Sequence, residues 1–396
     1  MEVSKRLQAV EESQTLVMTK KAREMAETGV KVINLSIGEP DFSTPKFIIE
    51  AAKKAMDDGF THYPPVAGFM DLRKAISAKF KTQNNLNYAP EQVVVSAGAK
   101  HSIANVISSL IDEGDEVIIP APYWVSYPEM VKMAGGIPVF LESGIENDYT
   151  FNLNDLKSKI SSKTKLFLFS SPCNPSGTVF SEEFLKKVAD ILAPYPNIFV
   201  VSDEIYEHIQ YGRSHVSIGT FPQLADRVVT VNGLSKAFAM TGWRIGYIGA
   251  PLWISKAVEK MQGQVTSGIN SIAQKAAVAA LEGSLEPTLE MVEIFEKRRE
   301  ILYNGLKEIP GLKPNYPQGA FYILPDVSYY FGKKNGDKII SNSLELSLYL
   351  LEDAHVSVVS GEGFGNAECI RISYATSEND LRTAIESIKN SLKKLA

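Results

Sequence analysis

From 93 to 250 the chain repeats one pattern: a short run of β-branched and aromatic residues, then a longer stretch with helical spacing. The apolar runs fall at 93–96, 117–120, 138–141, 166–170, 198–202, 228–231 and 247–250. They are continuous rather than alternating, so each strand must be covered on both faces, as in a parallel sheet wrapped by helices. Seven such runs predict an α/β domain with a mostly parallel seven-stranded sheet and helices on both faces. The stretch after the first run carries Ile103, Val106, Ile107 and Leu110 at i, i+3, i+4 and i+7, one face of a helix.

Outside this block the pattern changes. Helices are expected over 252–282 and 285–308, the second joining two lobes. After Gly311 come shorter strands at 319–324, 355–359 and 369–374, with helices near 343–353 and 378–394, the mark of a smaller α+β lobe. Upstream, a polar arm precedes a helix at 15–28, a strand at 32–37 and helices at 46–58 and 69–83. With 396 residues, two lobes are expected. The division is an arm at 1–15, part of the small domain at 16–45, a large domain at 46–285 and the rest of the small domain at 286–396.

Composition removes several classes of function. A net charge of -5 argues against binding nucleic acid, which needs clustered positive charge. Two cysteines, Cys173 and Cys369, make no disulfide framework, and five histidines form no HExxH, so no metal is expected. The opening residues MEVSKRLQAVEES lack the apolar core of a signal peptide, and no run is long enough to span a bilayer. A reducing cytoplasm and no membrane partner are the expectation.

Ligands of a parallel sheet gather beyond the carboxyl ends of its strands. The notable polar residues of this half lie there: Gly98 to Lys100, Tyr123-Trp124, Asn174, Asp203 and Lys236. Lys236 follows the run 228–231 in apolar company, where an amine loses its proton more readily and can form a Schiff base with an aldehyde. Arg244, eight residues on, is a fixed cation suited to a phosphate on that aldehyde, and pyridoxal phosphate fits both. A solvated surface lysine is the other reading of this window. Trp124 can lie flat on an aromatic ring or pack at a strand end. Asp203 can hold a ring nitrogen protonated or act as the N-cap of a helix starting Glu204-Ile205-Tyr206. Asn174, between Pro172 and Pro175, can donate to a ring oxygen or serve the turn. Arg371, between Ile370 and Ile372, can grip a carboxylate through two parallel hydrogen bonds or face solvent. Gly38 offers a close backbone approach or only a turn.

The ordered set Ser-Pro-Cys-Asn-Pro-Ser-Gly (171–177), Ser-Asp-Glu-Ile-Tyr (202–206), Ser235-Lys236 and Ile370-Arg371-Ile372-Ser373 resembles the fold-type I aminotransferases that use pyridoxal 5'-phosphate. The segments YWVSYP (123–128) and AMTGWRIGY (239–247) are most similar to the prokaryotic aspartate aminotransferase branch. The resemblance implies that Lys236 carries the cofactor and Asp203 pairs its ring nitrogen. It implies that Asn174 and Tyr206 contact the ring oxygen and that Trp124 stacks. Ser235, Arg244 and the backbone of Gly98 and Ala99 would hold the phosphate, joined by Tyr63 from a second subunit of a homodimer, with the arm lying on the partner. Gly38 and Arg371 would receive the substrate's α-carboxylate. Lys100 would read the distal carboxylate of aspartate or glutamate, with Ser13 to Thr15 closing over it. Glu11-Glu12 stand where relatives accepting prephenate carry a basic residue, which disfavours that larger substrate.

The implied reaction is ping-pong transfer from aspartate to 2-oxoglutarate, giving oxaloacetate and glutamate. The rivals are an aminotransferase of other specificity, aromatic or prephenate; a carbon–sulfur lyase or ring-forming synthase on the same scaffold; and a non-enzymatic sensor. No basic helix-turn-helix accompanies the chain to support the sensor.

Overall fold

The computed structural model describes residues 3–12 and 14–396. The arm holds a short helix α1 (Lys5–Gln8), capped by Ser4, followed by α2 (Gln14–Glu27), which buries Met18 and Ala22 against Leu351. A two-residue strand β1 (Ile33–Asn34) leads to α3 (Lys46–Asp57) and α4 (Met70–Asn84). The alternating block then runs β2 (Val93–Ala97), α5 (Ala99–Leu110), β3 (Glu116–Pro120), α6 (Ser126–Met133), β4 (Ile137–Leu141), α7 (Leu153–Lys159) and β5 (Thr164–Ser170). It continues with α8 (Glu182–Leu192), β6 (Phe199–Asp203), β7 (Val228–Gly233) and β8 (Ile245–Gly249).

These seven strands form one sheet in the order β2-β8-β7-β6-β5-β3-β4. Only β8 runs antiparallel to its neighbours, so the expectation of a mostly parallel sheet holds. Successive residues of a strand face opposite sides, and the apolar clusters divide accordingly. Val117, Ile119, Leu166, Leu168, Val201 and Val229 pack on one side with Ile103, Val106 and Ile107 of α5. Ile118, Phe167, Phe169, Val200 and Val228 pack on the other with Leu185, Val188 and Leu192 of α8. Residues buried this way on both faces read in sequence as unbroken apolar runs.

Beyond the sheet come α9 (Leu252–Val265), α10 (Ser271–Glu282) and α11 (Glu286–Lys307). The single helix expected over 252–282 is therefore two. Ser267 adopts a left-handed φ of 60°, and Asn270 caps α10 by accepting the Ala273 N–H at 2.8 Å. The apolar periodicity resumes after the break, which hid it.

The remaining chain supplies β9 (Tyr322–Ile323), the hairpin β10 (Lys334–Asn335) and β11 (Lys338–Ile339), and α12 (Ser343–Tyr349), which runs into a π turn at Leu350–Ala354. It closes with β12 (Val356–Ser357), β13 (Val359–Ser360), β14 (Ile370–Ser373) and α13 (Glu378–Leu392). The strand expected over 355–359 is split because β12 pairs with β1, whereas β13 pairs with β14. Ile33 and Leu35 share an apolar cluster with residues from Met291 to Leu395. No helix among the described residues is long and apolar enough to cross a membrane.

Candidate active site

Because β2, β7, β6, β5 and β3 point the same way, their carboxyl ends share one edge of the sheet, and the amino end of antiparallel β8 joins them there. A cleft of about 530 Å³ opens at this edge. Of the residues singled out from sequence, Thr15, Gly38, Ala99, Lys100, Trp124, Asn174, Asp203, Tyr206, Ser235, Lys236, Arg244 and Arg371 all line it. They come from the amino-terminal helix, the loop after β1, the ends of six strands of the large sheet and β14, so only the tertiary fold assembles them. Gly98 borders the cleft through Arg244. Tyr63 does not line it: its side chain stands out from the surface, 98% exposed. Ser13 lies outside the described residues.

Lys236 follows β7 closely, and its Nζ donates to the Gly38 carbonyl at 2.5 Å. No carboxylate pairs with it among the described residues. Desolvation in the cleft lowers its pKa to about 8; Arg371 and Arg244 add to the lowering, and Glu39 and Asp203 oppose it. Such an amine is largely protonated at neutral pH yet gives up its proton at small cost, as a nucleophile and proton carrier requires.

Asp203 ends β6 and is 4% exposed. Its Oδ2 accepts the Tyr127 hydroxyl at 2.7 Å, and its Oδ1 accepts the Ile205 N–H at 3.2 Å. The cap reading is thus partly right: the side chain accepts a following N–H, but residues 205–208 form a turn and not a helix, and the carboxylate also faces the cleft. Burial raises its pKa to about 6, against the pull of those two donors.

Arg371, 2% exposed, donates from Nη1 to Asn174 Oδ1 at 3.0 Å and from Nη2 to the Ser36 carbonyl at 2.6 Å. Its Nε is buried with no acceptor among the described residues. The surface reading of Arg371 is excluded, and so is any ion pair within the described chain. A buried guanidinium with only neutral partners suits an anionic ligand.

Arg244 holds the other side of the cleft, with Nη1 on the Thr241 carbonyl at 2.9 Å and Nη2 on the Ala97 carbonyl at 3.2 Å. Its own φ is 58°, an uncommon conformation for a side-chain-bearing residue. Gly98 sits at φ 87°, and a Cβ there would strike the Arg244 guanidinium. Glycine is thus required where β2 turns into α5. The first N–H groups of α5 have no partner within the helix; the helix starts against Arg244, and Ala99 lines the cleft together with Ser235. Lys100 extends from the same turn, its Nζ 4.9 Å from the Trp124 ring centre, with a pKa lowered by burial and by Arg244.

Several cleft residues were not foreseen. Tyr127 touches Asp203, and Tyr322 bonds Tyr206 hydroxyl to hydroxyl at 2.8 Å. A Cβ on Gly38 would press to 2.9 Å from the Tyr322 oxygen, so this glycine is a close approach and not only a turn. Thr19, Arg23 and Glu39 also line the cleft. The spacing of Thr15, Thr19 and Arg23, one face of α2, was a usable signal; the tyrosine contacts, between residues 76 and 116 positions apart, were not.

Away from the cleft, Glu204, Glu207 and His215 bring ligand-type atoms within 4.8 Å of one another. The cation there is the protein's own: Lys79 pairs with Glu207, while His215 bonds Glu204 at 2.8 Å.

The family model for aminotransferase class I and II matches residues 30–388. The chain is 47% identical to the bifunctional aspartate aminotransferase and glutamate/aspartate-prephenate aminotransferase of Petunia hybrida, over 98% of this chain and 82% of that one. It is 44% identical to the aspartate aminotransferase of Bacillus subtilis (strain 168) over the full length of both. The crystal structure of the aspartate aminotransferase from Rhizobium meliloti superposes with a TM-score of 0.96 at 39% identity, covering 100% of both chains. That of Thermus thermophilus, with maleate, gives 0.92 at 39% over 99% of this chain and 100% of that chain. A match to the family model over residues 30–388, relatives above 40% identity and a shared fold lead to one conclusion: this chain belongs to the class I and II aminotransferases.

Proposed function

We propose that the protein is an aspartate aminotransferase that uses pyridoxal 5'-phosphate, passing the amino group of aspartate to 2-oxoglutarate. The observation that carries this reading is Lys236: a desolvated amine without a carboxylate partner, in one cleft with Asp203, Arg244 and Arg371. The donor set fits the cofactor. Arg244, Ser235 and the amino end of α5 suit its phosphate, Asp203 its ring nitrogen, Tyr206 and Asn174 its ring oxygen, and Trp124 its ring face. When bound, pyridoxal phosphate supplies an aldehyde that captures an amino group and a cationic ring that takes up the electron pair left at the α-carbon.

The protein's own residues do the rest. Arg371, with the backbone at Gly38, binds the α-carboxylate and so orients the α-hydrogen toward Lys236. Lys236 Nζ removes that proton and later returns one, a double duty served by a pKa near 8. Asp203 stays anionic to keep the ring nitrogen protonated. Lys100 reads the distal carboxylate; Arg23, on the facing helix, adds a second cation at the rim. Relatives named aspartate aminotransferase, and the maleate bound to the Thermus thermophilus protein, support a dicarboxylate in this cleft.

The same reading makes the chain a homodimer with shared sites, in which the exposed Tyr63 reaches the partner's phosphate. It divides the chain into an arm at 1–15, a large domain at 46–285 and a small domain of 16–45 and 286–396. The pairing of β1 with β12 supports the last of these. The test is to incubate the loaded protein with aspartate and 2-oxoglutarate. Oxaloacetate and glutamate should appear one for one without ammonia. Ammonia or elimination products instead would favour the lyase reading.

A further inference from the structure

The cleft contains a buried tyrosine for which the proposed chemistry has so far found no use. Tyr127 is the second residue of α6 and is 1% exposed. Its ring is held edge-on by Trp124, with centroids 5.5 Å apart and planes at 87°, and it packs in the cluster of Ile103, Val106 and Val131. The hydroxyl therefore has little freedom, and its hydrogen bond to Asp203 Oδ2 is 2.7 Å long. On the other oxygen of Asp203 sits a single backbone N–H. A carboxylate has about four lone-pair sites, so these two donors fix its plane and leave sites open toward the cleft.

We propose that Tyr127 is a positioning residue: its hydroxyl keeps Asp203 ionised and turned toward a protonated ring nitrogen of the bound ligand. This rests on the reading of Asp203 as the ring-nitrogen partner. Electrostatics supports the geometry. Burial drives Asp203 toward its neutral form and Glu204 adds to that; Tyr127, the Ile205 N–H and Lys236 oppose it. Tyr127 itself is pushed well above its usual pKa by burial and by Asp203, so it remains a neutral donor at any working pH. A hydrogen bond from a neutral donor to a carboxylate favours the charged form. Without it, Asp203 would keep the proton that the ring should hold, and a neutral acid cannot fix a cationic ring nitrogen. The edge-on contact gives Trp124 a second role, since a shift of that ring moves the hydroxyl on which Asp203 depends.

The test compares pyridoxal phosphate with an analogue whose ring nitrogen is replaced by carbon, binding each to the apo form of the wild type, Tyr127→Phe, Asp203→Asn and the double variant. Tyr127→Phe keeps the ring and its packing. It should weaken pyridoxal phosphate by about ten- to a hundredfold, the range for a lost hydrogen bond to a charged group, and leave the analogue unchanged. In the Asp203→Asn background, Tyr127→Phe should then have no further effect on either ligand. Equal weakening of both ligands by Tyr127→Phe, or weakening of neither, would overturn the proposal. If Asp203→Asn itself fails to distinguish the two ligands, the assignment of Asp203 falls, and with it the ground of this inference. If Asp203→Asn does distinguish them and Tyr127→Phe does not, the inference alone falls.

Discussion

Lys79 on α4 and Lys236 after β7 are both drawn out of water, and they have opposite surroundings. Lys79 is 2% exposed and pairs with Glu207, itself 4% exposed; Asn84 and His208 complete the contact. Burial would raise the Glu207 pKa, yet the Lys79 charge and the neighbouring histidines hold it down at about 2. Lys236 meets a carbonyl oxygen and aromatic faces, and its pKa falls to about 8. A buried cation that serves the fold is neutralised where it stands. One that serves chemistry is kept without a counter-ion, so that its proton is free to move.

The largest effect that could break this contrast is at Lys236. Lys236→Ala should lower turnover by at least about 10⁴-fold, since base, acid and nucleophile are lost together, with a melting temperature at or above that of the wild type. Turnover measured beside a thermal melt checks it. The mirror experiment is Lys79→Met, which strands Glu207 as a buried charge. It should cost about 3–5 kcal/mol of stability and leave kcat per folded molecule within about twofold. If stability and turnover fell together in both variants, the contrast would be false.

Acid sharpens it further. The folded pKa of Glu207 lies below its ordinary value, so its contribution to stability is complete above about pH 4.5 and is lost as pH falls toward 2. Denaturant melts across that window should show a slope that Glu207→Gln flattens. At the cleft, the smaller effects concern substrate choice. Lys100→Gln should raise KM for aspartate and 2-oxoglutarate about ten- to a hundredfold and leave alanine unaffected, the loss of one charged contact. Arg23→Gln, at the exposed rim, should raise the same constants by only about two- to fivefold. Initial-rate kinetics with the three substrates separates the two.

The sequence made the sheet legible because strands buried on both faces leave unbroken runs of Val, Ile and Phe, and these mark β2 to β8 to within about two residues. It made the cleft residues legible because such sheets place them after the strands. The break between α9 and α10 was missed because apolar spacing resumes in α10, although Ser267-Gly268 and the cap Asn270 are a local turn signal. Tyr127 and Tyr322 were missed for a different reason. Their partners, Asp203 and Tyr206, lie 76 and 116 positions away, and no spacing rule reaches that far. Arg371 shows the limit from the other side, since its strand context allowed a solvent-facing side chain until Ser36 and Asn174 were seen around it.

The claim on which all of this depends is that Lys236, and not another amine, is the group that takes the aldehyde. Loading the protein with pyridoxal phosphate, reducing with borohydride and mapping the peptides measures it directly. The account predicts one phosphopyridoxyl group per chain, on the peptide containing Lys236, and none in Lys236→Ala. A label on Lys79 or Lys100 instead, or an unlabelled protein, would contradict it.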